Sequence, residues 1–305
     1  MDEGHIITDK ILADLEKGLL EVYKDSYNTI KPQLDDVKDL IEKLSEEEDP
    51  VKRLVLQRRE KRLTILLNNI SKDIREINVL AERMINDEML NVYSENINYG
   101  AYFLESESGY KLNFDLYNKE ILKKLYKDNE NPFTKIALKN IKDKSRIYRD
   151  LRRNFAAAIR NGETIKEIAK RVQGVVNKNM NDSIRIARTE TTRLESIGRE
   201  EVFNKGQDMG LKMKKVWVST SDKRTRESHL MLNGKAIDMD KRFSNGLLYP
   251  GEHGGRAEEV INCRCTHIVE LQGIKKSANL EKLDGELEEV NYQEWKKRVT
   301  NEYRK

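Results

Sequence analysis

The chain has 305 residues, of which 37% are hydrophobic and 36% are charged. The apolar share is low for a globular protein and the charged share is high, which argues against a single large core. Only four prolines and 16 glycines occur. Long stretches therefore contain no helix breaker, as expected of an elongated helical protein.

The net charge of +4, from 57 basic and 53 acidic residues, hides two segments of opposite charge. Residues 1–50 carry a net charge of −9, and residues 131–160 carry one of +7. The basic segment is suited to contact nucleic acid or an acidic protein surface.

The sequence predicts neither a membrane-spanning protein nor a secreted one. No segment approaches 18 consecutive apolar residues, and the N-terminal MDEGHIITDK lacks a basic stretch followed by an apolar run. The two cysteines, Cys263 and Cys265, give no disulfide framework for a chain of this size. A reducing compartment fits this pattern best.

Residues 1–131 are predicted to form a helical N-terminal region. Apolar residues recur at steps of three and four over 6–45 and again over 51–92, which predicts two amphipathic helices. Pro32 is a candidate kink in the first helix, and the acidic run Glu46–Asp49 connects the two. Their apolar stripes are expected to pack against other helices of the chain or against copies of it.

A turn signal at Asn131–Pro132 predicts a domain boundary. Residues 135–160 then combine an apolar helical stripe with basic side chains on the opposite face. This basic ridge would contact DNA phosphates or an acidic partner, unless it is an ordinary solvated helix face. The ridge comprises Lys142, Lys144, Arg146, Arg149, Arg152 and Arg153.

Residues 132–273 are predicted to form a compact domain of helices and a small β-sheet, so the fold class of the chain is α+β. Helices are expected over 164–175 and 182–209, where apolar residues recur at helical spacing. A strand is expected around Trp217, where the period of the apolar residues changes.

A short helix is expected between Asp222, its N-cap, and Gly234, just beyond its C-terminal end. Residues 260–271 are predicted to form a second strand. The charged tail, 274–305, is expected to be helical. Two aromatic side chains are its predicted anchors: Trp295 and Tyr303.

The segment 222–267 holds the densest group of metal-binding side chains. In a strand, residues two apart share a face, so Cys263 and Cys265 line up while Arg264 points the other way. Sulfur and imidazole ligands suit zinc, but a one-residue gap is shorter than in most zinc sites. Two buried thiols packing against a helix would give the same pattern. The candidate ligands are His229, Cys263, Cys265 and His267, with His253 as a substitute for the last.

Motifs of the common enzyme classes are missing from the sequence. It has no H-E-x-x-H, G-x-S-x-G, phosphate-loop or dinucleotide-binding G-x-G-x-x-G pattern. The glycine-rich stretch 251–255 could cradle an anion, but such a turn alone is more often only a turn. We therefore predict that the protein is not an enzyme and needs no cofactor, zinc excepted.

Between about residues 145 and 272 the sequence resembles the phage Mu F-like minor head proteins, also called phage head morphogenesis proteins. The order and spacing of A-R-T-E, D-x-R-T-R-x-x-H and I-N-C-R-C carry the resemblance. Each pattern alone is weak, and their combination is specific. The positions singled out by the match are Arg188, Thr189, Glu190, Trp217, Asp222, Arg224, Arg226, His229, Gly234, Pro250, Asn262, Cys263, Arg264 and Cys265.

The resemblance implies a minor capsid protein of a tailed bacteriophage, assembled in the host bacterial cytoplasm and located inside the head of the virion. Its implied partners are the portal protein, the major capsid or scaffolding protein, packaged double-stranded DNA and, through the N-terminal helices, copies of itself. Its implied roles are head assembly and DNA packaging or ejection. The matching residues are expected to be structural or contact positions, with Arg226 paired to Asp222.

Two other functions remain open at this point. A metal-dependent hydrolase or transferase domain, delivered with the phage genome, would need a bound metal or an acid and base that converge near His229. A DNA-binding protein of the host would show strong and salt-dependent affinity for DNA.

Overall fold

The computed structural model describes residues 2–42, 52–125, 144–160, 165–273, 281–282 and 290–302. Long helices dominate these residues, and a small antiparallel sheet lies late in the chain, so the α+β class is confirmed. The connection predicted at Glu46–Asp49 and the boundary at Asn131–Pro132 lie outside them.

Three long helices account for more than half of the described residues: α1 (Glu3–Glu42), α2 (Lys52–Ser108) and α5 (Ile165–Asp208). The shorter helices are α3 (Lys119–Leu125), α4 (Lys144–Arg160), α6 (Glu227–Leu230), α7 (Ala257–Val260) and α8 (Tyr292–Glu302). The strands are β1 (Tyr110–Lys111), β2 (Met213–Val218), β3 (Ala236–Asp238), β4 (Thr266–Leu271) and β5 (Glu281–Lys282). Among the described helices, none combines the length and the apolar character that a membrane span needs.

The second N-terminal helix is longer than predicted. Its periodicity predicts an end near residue 92, where a segment rich in Asn and Tyr begins, but α2 continues to Ser108. The apolar stripe therefore outweighs the weak helix propensity of Asn and Tyr. Buried residues keep the helical spacing through this segment: Met89, Tyr93, Ile97, Ala101 and Leu104.

The two helices predicted over 164–175 and 182–209 are one helix, α5. The polar segment between them stays helical because Asn179, on its inward face, is buried and hydrogen-bonded. The Asn179 amide donates to the Val175 carbonyl one turn earlier (2.8 Å). A buried polar residue with partners thus takes the place of an apolar one in the stripe.

The sheet has three antiparallel strands in the order β3-β2-β4. β2 pairs with β4 along its whole length, with Trp217 opposite His267 and Met213 opposite Leu271. The strand predicted around Trp217 is therefore confirmed, and it is the central one. β1 and β5 form a separate antiparallel pair.

The chain divides into two compact units, each built from segments that are not contiguous in sequence. Unit 1 comprises residues 1–14, 86–133 and 185–305, and unit 2 comprises residues 15–85 and 134–184. Helices α1, α2 and α5 contribute residues to both. The three-domain division predicted from the sequence, 1–131, 132–273 and 274–305, stays a prediction.

Unit 2 buries a chain of polar side chains contributed by α1, α2, α4 and α5. The Tyr23 hydroxyl lies 2.6 Å from Asn78 Oδ1 and 2.7 Å from Ser183 Oγ. The Asn78 amide donates to Asn179 (3.1 Å), which also accepts from Arg146 (2.9 Å). Burial raises the pKa of Tyr23 to about 12, so its hydroxyl keeps its proton. The network specifies which residues of the four helices face one another.

Unit 1 is organised around Arg199, which is 1% exposed. Its guanidinium lies 2.6 and 2.8 Å from the Asp2 carboxylate and 3.2 Å from Glu195. It also donates to the His267 carbonyl (3.0 Å) and to Asn96 Oδ1 (3.1 Å). One side chain of α5 thus joins the segment before α1, helix α2 and strand β4.

Glu195 is the second charged group of this cluster. His5 Nδ1 lies 2.8 Å from it, and the Thr266 hydroxyl donates to it (2.6 Å). Burial alone would raise the pKa of Glu195, but the charges of His5 and Arg199 lower it. The carboxylate therefore stays ionised in the interior of the unit.

Helix α8 of the C-terminal tail is held by aromatic contacts within unit 1. Trp295 is 2% exposed, its ring packs on Tyr102 at 5.8 Å, and its indole N–H donates to Glu105 (2.8 Å). Trp295 therefore anchors the tail as predicted. Tyr303, the other predicted anchor, lies outside the described residues.

Arg199→Ala should lower the free energy of unfolding by about 3–5 kcal/mol, because it leaves the half-buried Asp2 without this counter-charge and the buried Glu195 with His5 as its remaining cationic partner. The control Lys205→Ala removes a pair with Glu201 (3.0 Å) whose side chains are 44% and 33% exposed. It should cost less than about 1 kcal/mol. Chemical denaturation followed by circular dichroism gives both values, and equal losses would contradict the role given to Arg199.

Candidate functional site

Both cysteines lie in a turn ahead of β4, so the strand predicted over 260–271 begins later than expected. Asn262 has a φ of 56°, a left-handed conformation that interrupts a strand. The strand begins only at Thr266. The turn directs both thiols inward, and Cys263 is 1% and Cys265 2% exposed.

His229, on the single-turn helix α6, lies between the two thiols and is itself 1% exposed. Its Nδ1 is 3.6 Å from Cys263 Sγ and 3.4 Å from Cys265 Sγ. Its Nε2 is 2.9 Å from Oε2 of Glu259 on α7. In the neutral tautomer that carries its hydrogen on Nε2, the Nε2–H donates to that carboxylate and the lone pair of Nδ1 faces the sulfurs. The structure thus brings together three of the side chains predicted as zinc ligands.

Glu259 is absent from the residues predicted from the sequence. It is 7% exposed and also accepts a hydrogen bond from the Ser228 hydroxyl (3.1 Å). The neighbouring Glu258 has a side chain that is 69% exposed. The two glutamates are adjacent in one short charged segment, so the sequence alone does not show which of them is buried.

The two thiols form a hydrogen-bonded pair. The hydrogen bond from Cys263 lowers the pKa of Cys265 to about 4 despite burial. The same hydrogen bond, together with burial, raises the pKa of Cys263. The hydrogen bond therefore favours a thiolate on Cys265 over one on Cys263.

An apolar cluster surrounds this group. The Trp217 ring packs edge-on against His229 at 5.0 Å and against Phe243 at 5.1 Å. Leu232 and Leu247 belong to the same cluster. These side chains shield the thiols and the imidazole from bulk solvent, which strengthens electrostatic interactions among them.

The A-R-T-E pattern on α5 holds the cysteine turn. The Thr189 hydroxyl accepts a hydrogen bond from the Asn262 N–H (3.1 Å), and the Thr192 hydroxyl one turn along α5 donates to the Cys263 carbonyl. The pattern therefore serves to dock one segment onto another. Its other members are Arg188, which is half-buried, and Glu190, which pairs with Arg193 at 2.6 Å.

The hypothesis that Asp222 pairs with Arg226 is wrong. Both Asp222 oxygens lie 2.7 Å from the Arg264 guanidinium, and this bond is the main reason why the pKa of Asp222 is lowered. Asp222 also accepts from the Arg224 N–H (2.9 Å), whereas Arg226 donates to the Ile261 carbonyl. Helical i, i+4 spacing does not apply here, because Asp222 lies in a turn ahead of α6.

The short helix predicted between Asp222 and Gly234 is a single turn, α6, whose N-cap is Arg226. Gly234 ends the turn that follows, with a φ of 73°, and its N–H donates to the Trp217 carbonyl (2.8 Å). The loop thus returns directly to the central strand.

The fourth predicted ligand, His267, lies outside the cluster. Its Nε2 is 2.9 Å from Glu200, and its ring packs against Phe203 at 5.8 Å. Both partners belong to α5. His253, the substitute ligand, is exposed on a turn.

The basic ridge lies on α4, within unit 2. Ile147 and Leu151 are buried on one face of the helix, while Arg149, Arg152 and Arg153 are exposed. Among the residues that the structure describes, Arg149 and Arg152 have no carboxylate within salt-bridge distance, and Arg153 pairs with a carboxylate of the same helix (3.2 Å).

The remaining predicted residues of the ridge differ from these three. Arg146 has a side chain that is only 25% exposed and lies 3.5 Å from Asp182. Lys144 begins α4, and Lys142 lies outside the described residues. The exposed part of the ridge within the described chain is therefore carried by arginines.

Residues 149–268 match the family described as Phage Mu protein F like protein. The chain is also 28% identical over 302 residues to the minor head protein GP7 of Bacillus phage SPP1, covering 95% of this chain and 94% of that protein. These two matches confirm the resemblance to the Mu F-like minor head proteins.

A second relative has a different name. The chain is 29% identical over 206 residues to the NAD(+)–arginine ADP-ribosyltransferase EFV of Enterococcus faecalis (strain ATCC 700802 / V583). This match covers 65% of the chain but only 41% of that protein. No solved structure matches the chain.

Gly251→Ala should destabilise the protein more than Gly254→Ala. Both glycines have a positive φ, 74° and 81°, so each substitution costs about 1–2 kcal/mol for a left-handed non-glycine residue. At Gly251, which follows the buried Pro250, an added Cβ would lie 2.9 Å from the backbone nitrogen of Arg193, whereas nothing lies within 4 Å at Gly254. We expect a further loss of about 1–3 kcal/mol at Gly251. Equal shifts in thermal unfolding would show that this turn does not pack against α5.

Proposed function

We propose that this minor head protein acts inside the phage head, at the portal vertex, and assists capsid assembly and the packaging or delivery of DNA. The similarity to a minor head protein over nearly the full length of both chains carries this proposal. A match of that extent includes the helical N-terminal part as well as the cysteine turn, so the whole chain is compared and not one domain alone.

The exposed arginines of α4 support a contact with DNA. Three guanidinium groups on consecutive turns of one helix face present positive charge to a phosphate backbone. No base-reading element is needed, because packaged DNA has no defined sequence at any one position. We therefore propose a nonspecific contact through phosphates.

The N-terminal helices support contacts with protein partners. Along α1 and α2, large apolar side chains remain exposed: Leu20 is 46%, Ile65 is 52% and Leu80 is 45% exposed. The acidic charge of residues 1–50 would complement a basic surface of the portal. We propose that these helices bind the portal, with copies of the chain or the capsid or scaffolding protein as further neighbours.

A catalytic role is not favoured. The side chains of His229, Cys263 and Cys265 are each no more than 2% exposed. A substrate could not reach them without a rearrangement of the surrounding apolar cluster. The transferase relative does not change this, since more than half of that protein lies outside the match.

The triple variant Arg149→Ala, Arg152→Ala, Arg153→Ala should bind random-sequence double-stranded DNA more weakly. The slope of log affinity against log salt should flatten by about 2–3, because each lost phosphate contact contributes about 0.9. Fluorescence anisotropy over a range of salt concentrations measures both effects.

The matched control removes three exposed lysines of α1: Lys10, Lys17 and Lys24. It changes the net charge equally and should leave the slope as in the wild type. Equal slopes for all three proteins, or a wild-type affinity that does not depend on salt, would contradict the proposed DNA contact.

Co-expression with the portal protein of the same phage should yield a complex that survives purification. The variant Asp14→Lys, Glu21→Lys, Asp25→Lys reverses exposed charges on α1 and should reduce recovery of the portal at least about tenfold. Its affinity for DNA should not fall. Failure of the wild-type proteins to form a complex would refute the portal assignment, and an unchanged melting temperature would show that the variant is folded.

A further inference from the structure

We propose that His229, Cys263 and Cys265 bind one zinc ion, and that Glu259 orients the imidazole for it. The proposal concerns the interior of unit 1 and is independent of the partners of the protein. The ion would stabilise the cysteine turn on the helix that carries His229.

The distances between the ligand atoms fit one tetrahedral ion. With Zn–S near 2.3 Å and Zn–N near 2.0–2.1 Å, a tetrahedral angle places sulfur and nitrogen roughly 3.6 Å apart. The observed separations from Nδ1 are 3.6 Å to Cys263 Sγ and 3.4 Å to Cys265 Sγ. All three ligand atoms lie within 4.8 Å of one another. One nitrogen nearly equidistant from two sulfurs is the arrangement that a shared ion produces.

The groups around the ligands prepare them for a cation. Glu259 lies 2.9 Å from Nε2 and so selects the tautomer in which Nδ1 is free to coordinate. A carboxylate behind a histidine is the usual second partner of zinc-bound imidazole. Backbone N–H groups also stabilise the sulfur charge: that of Cys265 donates to Cys263 Sγ (3.5 Å), and that of Thr220 donates to Cys265.

The one-residue gap between the cysteines is compatible with zinc, because the two cysteines lie in a turn and not in an extended strand. In an extended strand the two thiols would project in parallel from Cα atoms roughly 6.6 Å apart. The left-handed Asn262 and the turn before β4 direct both toward the same imidazole instead. Three protein ligands are the number found in zinc sites that hold a fourth, non-protein ligand.

The first test measures zinc in the full chain, purified without chelator, by inductively coupled plasma mass spectrometry. We expect about one equivalent per chain in the wild type and in the control His253→Ala, whose exposed imidazole lies outside the site. The variants His229→Ala and Cys263→Ser, Cys265→Ser should lose the ion. Folded wild-type protein that takes up no zinc when the metal is added in excess would overturn the proposal.

The second test separates metal binding from folding. Addition of Co²⁺ to the metal-free protein should produce a thiolate-to-cobalt absorption in the near ultraviolet, and Zn²⁺ should displace it. Glu259→Gln keeps all three ligands but should weaken zinc binding by about 10- to 100-fold. A melting temperature that rises with zinc in the wild type and not in the double cysteine variant supports the site. The same rise in both would refute it.

Discussion

The buried charge of Arg199 sets the arrangement of unit 1. A guanidinium without a partner in the interior would cost several kcal/mol, so the unit is stable only when Asp2 and Glu195 both reach it. Its further bond to the His267 carbonyl places β4 against α5. Because the cysteine turn leads directly into β4, the position of the thiols depends on this one charge cluster.

The three sequence patterns that carry the resemblance lie in three segments that contact one another. A-R-T-E provides the Thr189 hydroxyl that receives the cysteine turn, and Asp222 holds Arg264, the residue between the two cysteines. His229 then meets the thiols from the opposite side. The patterns are specific as a combination because each supplies a partner for the others.

Helical periodicity predicted most of the helices, but it fails where polar residues such as Asn179 are buried in the apolar stripe, so the single helix α5 was predicted as two. The proximity of His229, Cys263 and Cys265 was also predictable, because cysteine and histidine side chains are suited to bind zinc together or to pack together in the interior. The role of Glu259 and the pairing of Asp222 with Arg264 were not. They depend on turns of a few residues, whose geometry has no period that a sequence could reveal.

The two units are interleaved along the chain, and this affects the order in which they can form during synthesis. Unit 2 lacks its final segment until residue 184 has been made, and unit 1 needs residues near both ends. Neither can be completed while the N-terminal half alone is outside the ribosome. The segment 149–268 that matches the family model contributes to both units. Excised from the chain, it would therefore expose the helix faces that α1 and α2 cover, and the smallest stable fragment is expected to be nearly the whole protein.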